Sequence, residues 1–213
     1  NLLSDHALEL EGRCARAACQ VARTFLGDRD RVVKLAGLRF LNDFPKDNLA
    51  SDVAASLLSS ASVEVGLFRE IVEKDVVPLL TAPELKLRSD ALMLLKRFAS
   101  LDDEVIVSAT SACLDHQSVG VQEAVLRALE MVATRGNRTA ISALCKWLKP
   151  GRVQAKRALQ ILEQLAVVAD EKIVNAVSKC LKDSRVEVQE LASKVLSMLE
   201  RNGPDMEAKA SCE

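Results

Sequence analysis

The sequence predicts an all-α fold built from stacked helical hairpins, and three observations carry that prediction. Six apolar pairs ending in Leu punctuate the 213 residues: Phe25-Leu26, Leu57-Leu58, Leu79-Leu80, Cys113-Leu114, Trp147-Leu148 and Cys180-Leu181. Their second members lie 32, 22, 34, 34 and 33 residues apart, a period that marks an array of two-helix units. A second apolar stripe, recurring about every 3.6 residues, comes after the landmarks. The composition, 49% hydrophobic but 3% aromatic and without Tyr, suits helices packed through Ala, Leu and Val.

In the first unit Ala18, Cys19 and Val21 precede Leu26, Gly27-Asp28 makes the turn, and Val33, Ala36, Phe40, Leu41 and Phe44 form the second stripe. Pro45-Lys46-Asp47-Asn48 then separates units, and Ser59 to Ser62 make the turn of the second unit before Val65. The third unit is about 10 residues short, so its first helix, Asp75 to Leu80, is expected to be a turn or two. Its second helix carries Leu87, Ala91, Leu94, Leu95 and Phe98. In the fourth unit Ile106 and Val107 precede Leu114, and Val121, Ala124, Val125, Ala128, Leu129 and Val132 come after it. Thr134 to Asn137 lead to the fifth unit, which has Ile141 before Leu148, Lys149-Pro150-Gly151 in its turn, and Gln154 where its siblings place Val. The sixth places Ile173 and Val174 before Leu181, turns at Asp183-Ser184, and continues with Val188, Leu191, Ala192, Val195, Leu196 and Leu199. The Asp and Ser residues of these turns are the expected N-caps. Leu38, Leu92, Leu126 and Leu159 widen the apolar arc, as helices flanked on both sides require.

Val119-Gly120-Val121-Gln122, Val186-Glu187-Val188-Gln189 and Leu85-Lys86-Leu87-Arg88 open second helices, and they resemble the apolar-x-Val-Arg phrase of HEAT repeats. Pro78 resembles the proline often found in the first helix of that family. The resemblance covers roughly residues 12 to 201 and is nearest the short-unit variety seen in phycobilin-lyase-like members. It departs from the family in holding Lys34, Gly66, Gln122 and Gln189 where Arg88 carries the expected Arg. Taken with the period, it implies a right-handed α-α solenoid of about six HEAT-like units, the third truncated. Residues 1–201 then form one domain and 202–213 a polar tail. Apolar residues at both ends, Leu2, Leu3, Leu8 and Leu10 and then Leu191, Val195, Leu196 and Met198, predict a fragment of a longer array or ends covered by a neighbour.

Charge supplies the strongest functional signal. Net charge is -1, yet Glu130 and Glu163 bracket a stretch with no acidic residue and seven basic ones: Arg135, Arg138, Lys146, Lys149, Arg152, Lys156 and Arg157. This block includes the single Trp, Trp147, and is expected to stand on one edge of the fifth unit and receive an acidic partner. Neighbouring Glu123, Glu130, Asp170, Glu171, Glu187 and Glu190 offer it internal partners instead. Trp147 aligns with Leu79 and Cys113 and is expected in the core. A second candidate is the concave face, for which the outward positions Arg39, Met93, Arg127, Gln160 and Lys194 form a row.

Catalytic signatures are missing: no H-E-x-x-H, G-x-S-x-G, G-x-x-x-x-G-K or G-x-G-x-x-G is present. Neither His6 nor His116 precedes Glu, unlike the His-Glu pairs of the di-iron hydroxylases built on HEAT repeats. Neither a metal nor another cofactor is expected. Cys19, Cys113 and Cys180 fall in core columns, whereas Cys14, Cys145 and Cys212 fit them less well. Without a C-x-x-C pair, the six cysteines read as free thiols of an intracellular reducing compartment, cytoplasmic or nuclear, or an organelle reached with a transit peptide since removed. No apolar run reaches the length of a membrane span. The expected function is a non-enzymatic protein-interaction scaffold, an adaptor or structural subunit of a hetero-complex. Two readings of other classes stand beside it: a chromophore lyase similar to the phycobilin-lyase repeats, and a nucleic-acid binder using the basic fifth unit.

Overall fold

The computed structural model describes residues 17, 20–43, 69–98, 103–167 and 170–202, and every regular element among them is helical. The chain divides into two compact parts, Asn1–Ala99 and Ser100–Glu213.

In the first part a short helix over residues 20–26 precedes α1 (Arg31–Asp43). Asp30 Oδ1 accepts the Val32 N–H at 2.7 Å and so caps α1, whereas Asp28 of the expected turn accepts the Asp30 N–H at 2.7 Å. The first helix of the third unit is fuller than the expected Asp75 to Leu80. Helical residues begin at 69, pass through a π-helix (Val72–Val76) and end in a 3₁₀ helix (Val77–Thr81). Pro78 explains the irregularity, because its ring crowds the preceding turn and it has no N–H to donate. The backbone widens ahead of it, Val77 N–H bonding Val72 O, and the Thr81 hydroxyl closes the end on Pro78 O at 2.7 Å.

α2 (Leu85–Phe98) packs against both this composite helix and α1. Arg23 ties the first helices together, reaching Asp75 Oδ2 and Glu70 Oε1 at 3.2 Å each. Hairpins one and three are therefore in direct contact. The landmark Leu57-Leu58 and Val65, read as the second unit, lie outside the described residues. The tail from residue 203, with Cys14, Cys19 and Cys212, lies outside them as well.

The second part holds three hairpins: α3 (Glu104–Ala112) with α4 (Val119–Val132), α5 (Arg138–Trp147) with α6 (Ala155–Leu165), and α7 (Glu171–Cys180) with α8 (Val186–Asn202). First helices pack in the order α3, α5, α7, and second helices in the order α4, α6, α8. Asp103, Asn137 and Asp170 cap the first helices with their side chains. Leu126, Leu129, Leu144, Leu159, Leu162 and Leu199 are fully buried between the layers. The wide apolar arc is borne out at Leu38, Leu126 and Leu159, whereas Leu92 is half-buried. α6 begins at Ala155, seven residues after Leu148 and completely buried. Ala155, not Gln154, thus fills the leading core slot of the fifth unit. Among the described residues no helix is long and apolar enough to cross a membrane.

Gly37 is where the 20–26 helix and α1 come closest. A Cβ there would stand 2.8 Å from Phe25 Cβ, an atom fixed to the backbone that cannot swing aside. Alanine gains about 1 kcal/mol in helix propensity over glycine, but overpacking costs about 1–3 kcal/mol. We expect Gly37→Ala to lower the thermal melting temperature, and an unchanged or raised melt would contradict this close approach.

Candidate functional site

The turn inside each hairpin leaves carbonyl groups unpaired within the helices, and in three units one side chain captures them. Eight residues after the landmark Leu stand Arg88, Gln122 and Gln189. Arg88 Nη1 donates to Ala82 O and Pro83 O at 2.7 and 2.8 Å. Gln122 Nε2 donates to His116 O at 2.8 Å, and Gln189 Nε2 to Asp183 O at 2.6 Å. Glutamine therefore does the work of arginine at this slot, which accounts for the departure from the family phrase.

The fifth unit lacks the device. Its slot holds Lys156, whose ammonium faces Glu187 at 3.5 Å. The turn is held from the next hairpin instead. Arg185 donates from Nη2 to Arg152 O at 2.7 Å and from Nη1 to Val153 O at 3.1 Å. Asp183, 1% exposed, accepts the Gly151 N–H on Oδ2 at 2.7 Å. The same carboxylate accepts Arg185 N and Nε on Oδ1 at 3.0 and 2.9 Å, and Nη2 on Oδ2 at 2.9 Å. Gly151 has φ of 80°, which glycine adopts without strain. Hydrogen bonds from Arg185 and Gly151 hold the Asp183 carboxyl well below the usual carboxylate range, and the same pairing raises the Arg185 guanidinium. On the other side Arg152 lies 4.5 Å over the Trp147 ring and 3.7 Å from Asp115 Oδ1 of the fourth unit. Three successive turns are thus stitched side by side.

The seven basic residues do not share one edge. α5 is about 15 Å long, with Arg138 at its first residue and Lys146 in its last turn. Arg135 and Arg138 therefore stand at one end of the hairpin, and Lys146, Lys149, Arg152 and Lys156 at the other. Arg157 is drawn off the edge by Glu130, with Gln160 Oε1 also accepting from it at 3.4 Å. Arg152 faces Asp115 and Lys156 faces Glu187, so internal pairing claims three of the seven. Lys146 and Lys149 are exposed and have no acidic partner among the described residues. Lys182, exposed and next to Asp183 in the clasp, joins them. Sequence reasoning passed over Lys182 and Arg185 and read Asp183 only as an N-cap, where its carboxylate instead holds Gly151 and Arg185. The signal was a lysine in the turn-capturing slot of the fifth unit, which left that turn to be held from elsewhere.

The outward row is not a continuous ligand-facing strip. Arg127 pairs with Glu123 at 2.9 Å on its own helix, and Lys194 reaches Glu163 at 2.8 Å on the neighbouring one. Counted from Ala155, the sixth position of α6 is Ile161, which is fully buried, and Gln160 is half-buried. Arg39 and Met93 are exposed in the first part of the chain.

Trp147 and Cys180 are buried in the core as expected, while Cys113 and Cys145 are half-buried. Burial pushes the thiols of Cys145 and Cys180 up to about 11, away from the thiolate form that reacts. Asn137 Oδ1 caps α5 by accepting the Ala140 N–H at 2.9 Å. Among the described residues no group of three His, Cys, Asp or Glu could hold a metal ion.

No family model and no curated protein matches the chain in sequence. Among solved structures it is similar to an engineered protein at 20% identity, with 92% of each chain covered and a TM-score of 0.51. A second engineered protein is similar at 18% identity, 93% coverage of each chain and a TM-score of 0.49. The archaeal HEAT-like repeats protein from Thermococcus onnurineus NA1 is similar at 14% identity, 92% coverage of each chain and a TM-score of 0.44. The chain has an all-helical fold of stacked hairpins, an α-α repeat. At these identities the likeness concerns the fold alone.

The captured turns have two measurable consequences. Gln122→Ala and Gln189→Ala should each cost about 1 kcal/mol in denaturant unfolding, while Gln122→Arg should be tolerated. A glutamine deletion without effect would remove the capture from the fold's support. The Asp183 carboxyl has a lowered folded-state pKa, so its stabilisation is complete above the unfolded value of about 4 and is lost as pH falls below that. The stability difference between wild type and Asp183→Asn should then be constant from pH 7 to about 5 and shrink in more acidic solution. A constant difference down to pH 2 would contradict it.

Proposed function

We propose that this chain is a non-enzymatic protein-interaction scaffold whose basic turn edge on the fifth and sixth units receives an acidic surface of a partner in a larger assembly. The observation that supports the reading most is that Lys146, Lys149 and Lys182 stand exposed and unpaired at one end of a rigidly clasped pair of turns. The anions of that edge are already engaged: Asp115 faces Arg152, Asp183 holds Arg185, and Glu187 faces Lys156. The three lysines thus leave a local positive excess on a chain of net charge -1. A preformed edge avoids the ordering cost that a mobile loop would meet on binding. The adaptor or structural-subunit role rests on the same surface, with Arg135 and Arg138 left to the opposite end.

Purification from the native source, with size determination and cross-linking mass spectrometry, tests this directly. The expected result is retention in a larger particle with cross-links from Lys146, Lys149 or Lys182 to an acidic segment. Charge reversal of the three lysines to Glu should weaken that association at least about tenfold, since rim charges contribute roughly 0.2–1 kcal/mol each. The helical melt should stay within about 0.5 kcal/mol, as for other exposed substitutions. A lone 23.2 kDa species, or unaltered binding by the triple variant, would overturn the proposal.

A further inference from the structure

Each described second helix has an exposed aliphatic side chain within two residues of its start. Leu85, Val119, Val153 and Val186 each stand five residues after the landmark Leu, and Val32 stands six after Leu26. Leu85 is 74%, Val153 62% and Val186 63% exposed, and Val32 and Val119 are exposed as well. Two residues later in the helices that begin with Leu85, Val119 and Val186, Leu87, Val121 and Val188 are buried. The core stripe therefore does not account for the exposed positions. A single exposed Val is ordinary on a protein surface. Recurrence at one register of each hairpin is not, because β-branched residues add nothing to an exposed helix start.

In the second part of the chain Val119 and Val186 open α4 and α8, and Val153 stands in the turn two residues ahead of α6, which packs between them. Packed helices lie about 8–10 Å apart, which sets the expected spacing of this file of three exposed side chains along the turn edge. Leu181, also exposed, lies beside the file in the sixth turn. Lys149 and Lys182 flank its fifth and sixth members.

Resting on the reading of the basic turn edge given above, we infer that the file binds an extended acidic segment of about seven residues with an aliphatic side chain at every third position. An extended polyproline II chain rises about 3.1 Å per residue, which places every third residue about 9.3 Å apart and matches the pitch of the file. Residues between the aliphatic ones then face the lysines, so carboxylates there complete the match in charge. An amphipathic helix needs a groove to receive its apolar face, whereas this file is one side chain wide.

The test uses two synthetic peptides of equal composition and charge, Leu-Pro-Glu-Leu-Pro-Glu-Leu and Leu-Leu-Leu-Pro-Glu-Pro-Glu, with binding followed by fluorescence anisotropy. The spaced peptide should bind about tenfold more tightly than the bunched one, and Val119→Ser/Val153→Ser/Val186→Ser should abolish that preference with the lysines intact. Reversal of Lys146, Lys149 and Lys182 should instead weaken both peptides equally. Equal binding of the two peptides to wild type would overturn the file as a binding site and leave the basic edge standing, an outcome that needs no variant to fold. Failure of both peptides would overturn the file; binding or non-binding of a hepta-glutamate would then show whether the basic edge survives. A single-stranded oligonucleotide that binds more tightly than the spaced peptide would overturn it in favour of nucleic acid.

Discussion

A helical hairpin repeated along a chain must do something with the carbonyl groups of its turn, and here, in three units, one side chain on the second helix captures them. Arg88, Gln122 and Gln189 each reach back six residues to a turn carbonyl. The bond couples the two helices of a hairpin at the point where backbone polarity would otherwise be left unsatisfied. Core packing sets which helices neighbour each other, but this capture sets where each turn sits. The fifth unit shows the consequence of filling the slot differently. With Lys156 there, the turn takes its donors from Arg185, and that arginine is held in turn by a buried Asp183. A local deficiency in one repeat becomes a contact between repeats, and the fifth and sixth turns are joined more closely than packing alone would join them.

The same logic sorts the charges. Arg157 and Arg152 look alike in sequence to Lys149, yet the first is paired with Glu130 and the second lies over Trp147 near Asp115. Both are part-buried, so their role is to fix neighbouring elements, and a partner would compete with internal bonds to reach them. Lys146, Lys149 and Lys182 meet no such competition. A surface for recognition is therefore defined as much by which cations are already used as by how many there are.

Legibility depended on which information is periodic. The landmark Leu residues and the buried slots at Leu87, Val121 and Val188 recur with the repeat, so each was visible as a pattern. Adjacency shows the opposite case: α1 packs on α2 directly, a contact that depends on which faces meet and that no count of apolar pairs supplies. Likewise Gln160 was assigned to an outward row by counting from Gln154, and the true start at Ala155 turned Ile161 inward at that position.

By itself the sequence determined the all-helical class, the hairpin period and the core columns of the later units, since these reside in local order and spacing. In the first unit Val21, Ala36 and Phe40, read as part of the apolar pattern, are exposed. Tertiary structure decided which hairpins touch, that the basic residues divide between the two ends of the fifth hairpin, and that the turn after Lys182 is joined to the fifth turn. It also revealed the clasp of Asp183 on Gly151, a contact between residues 32 positions apart. The physical reason is that pairing energies depend on distance and burial, and neither is carried by the one-dimensional order of charged residues.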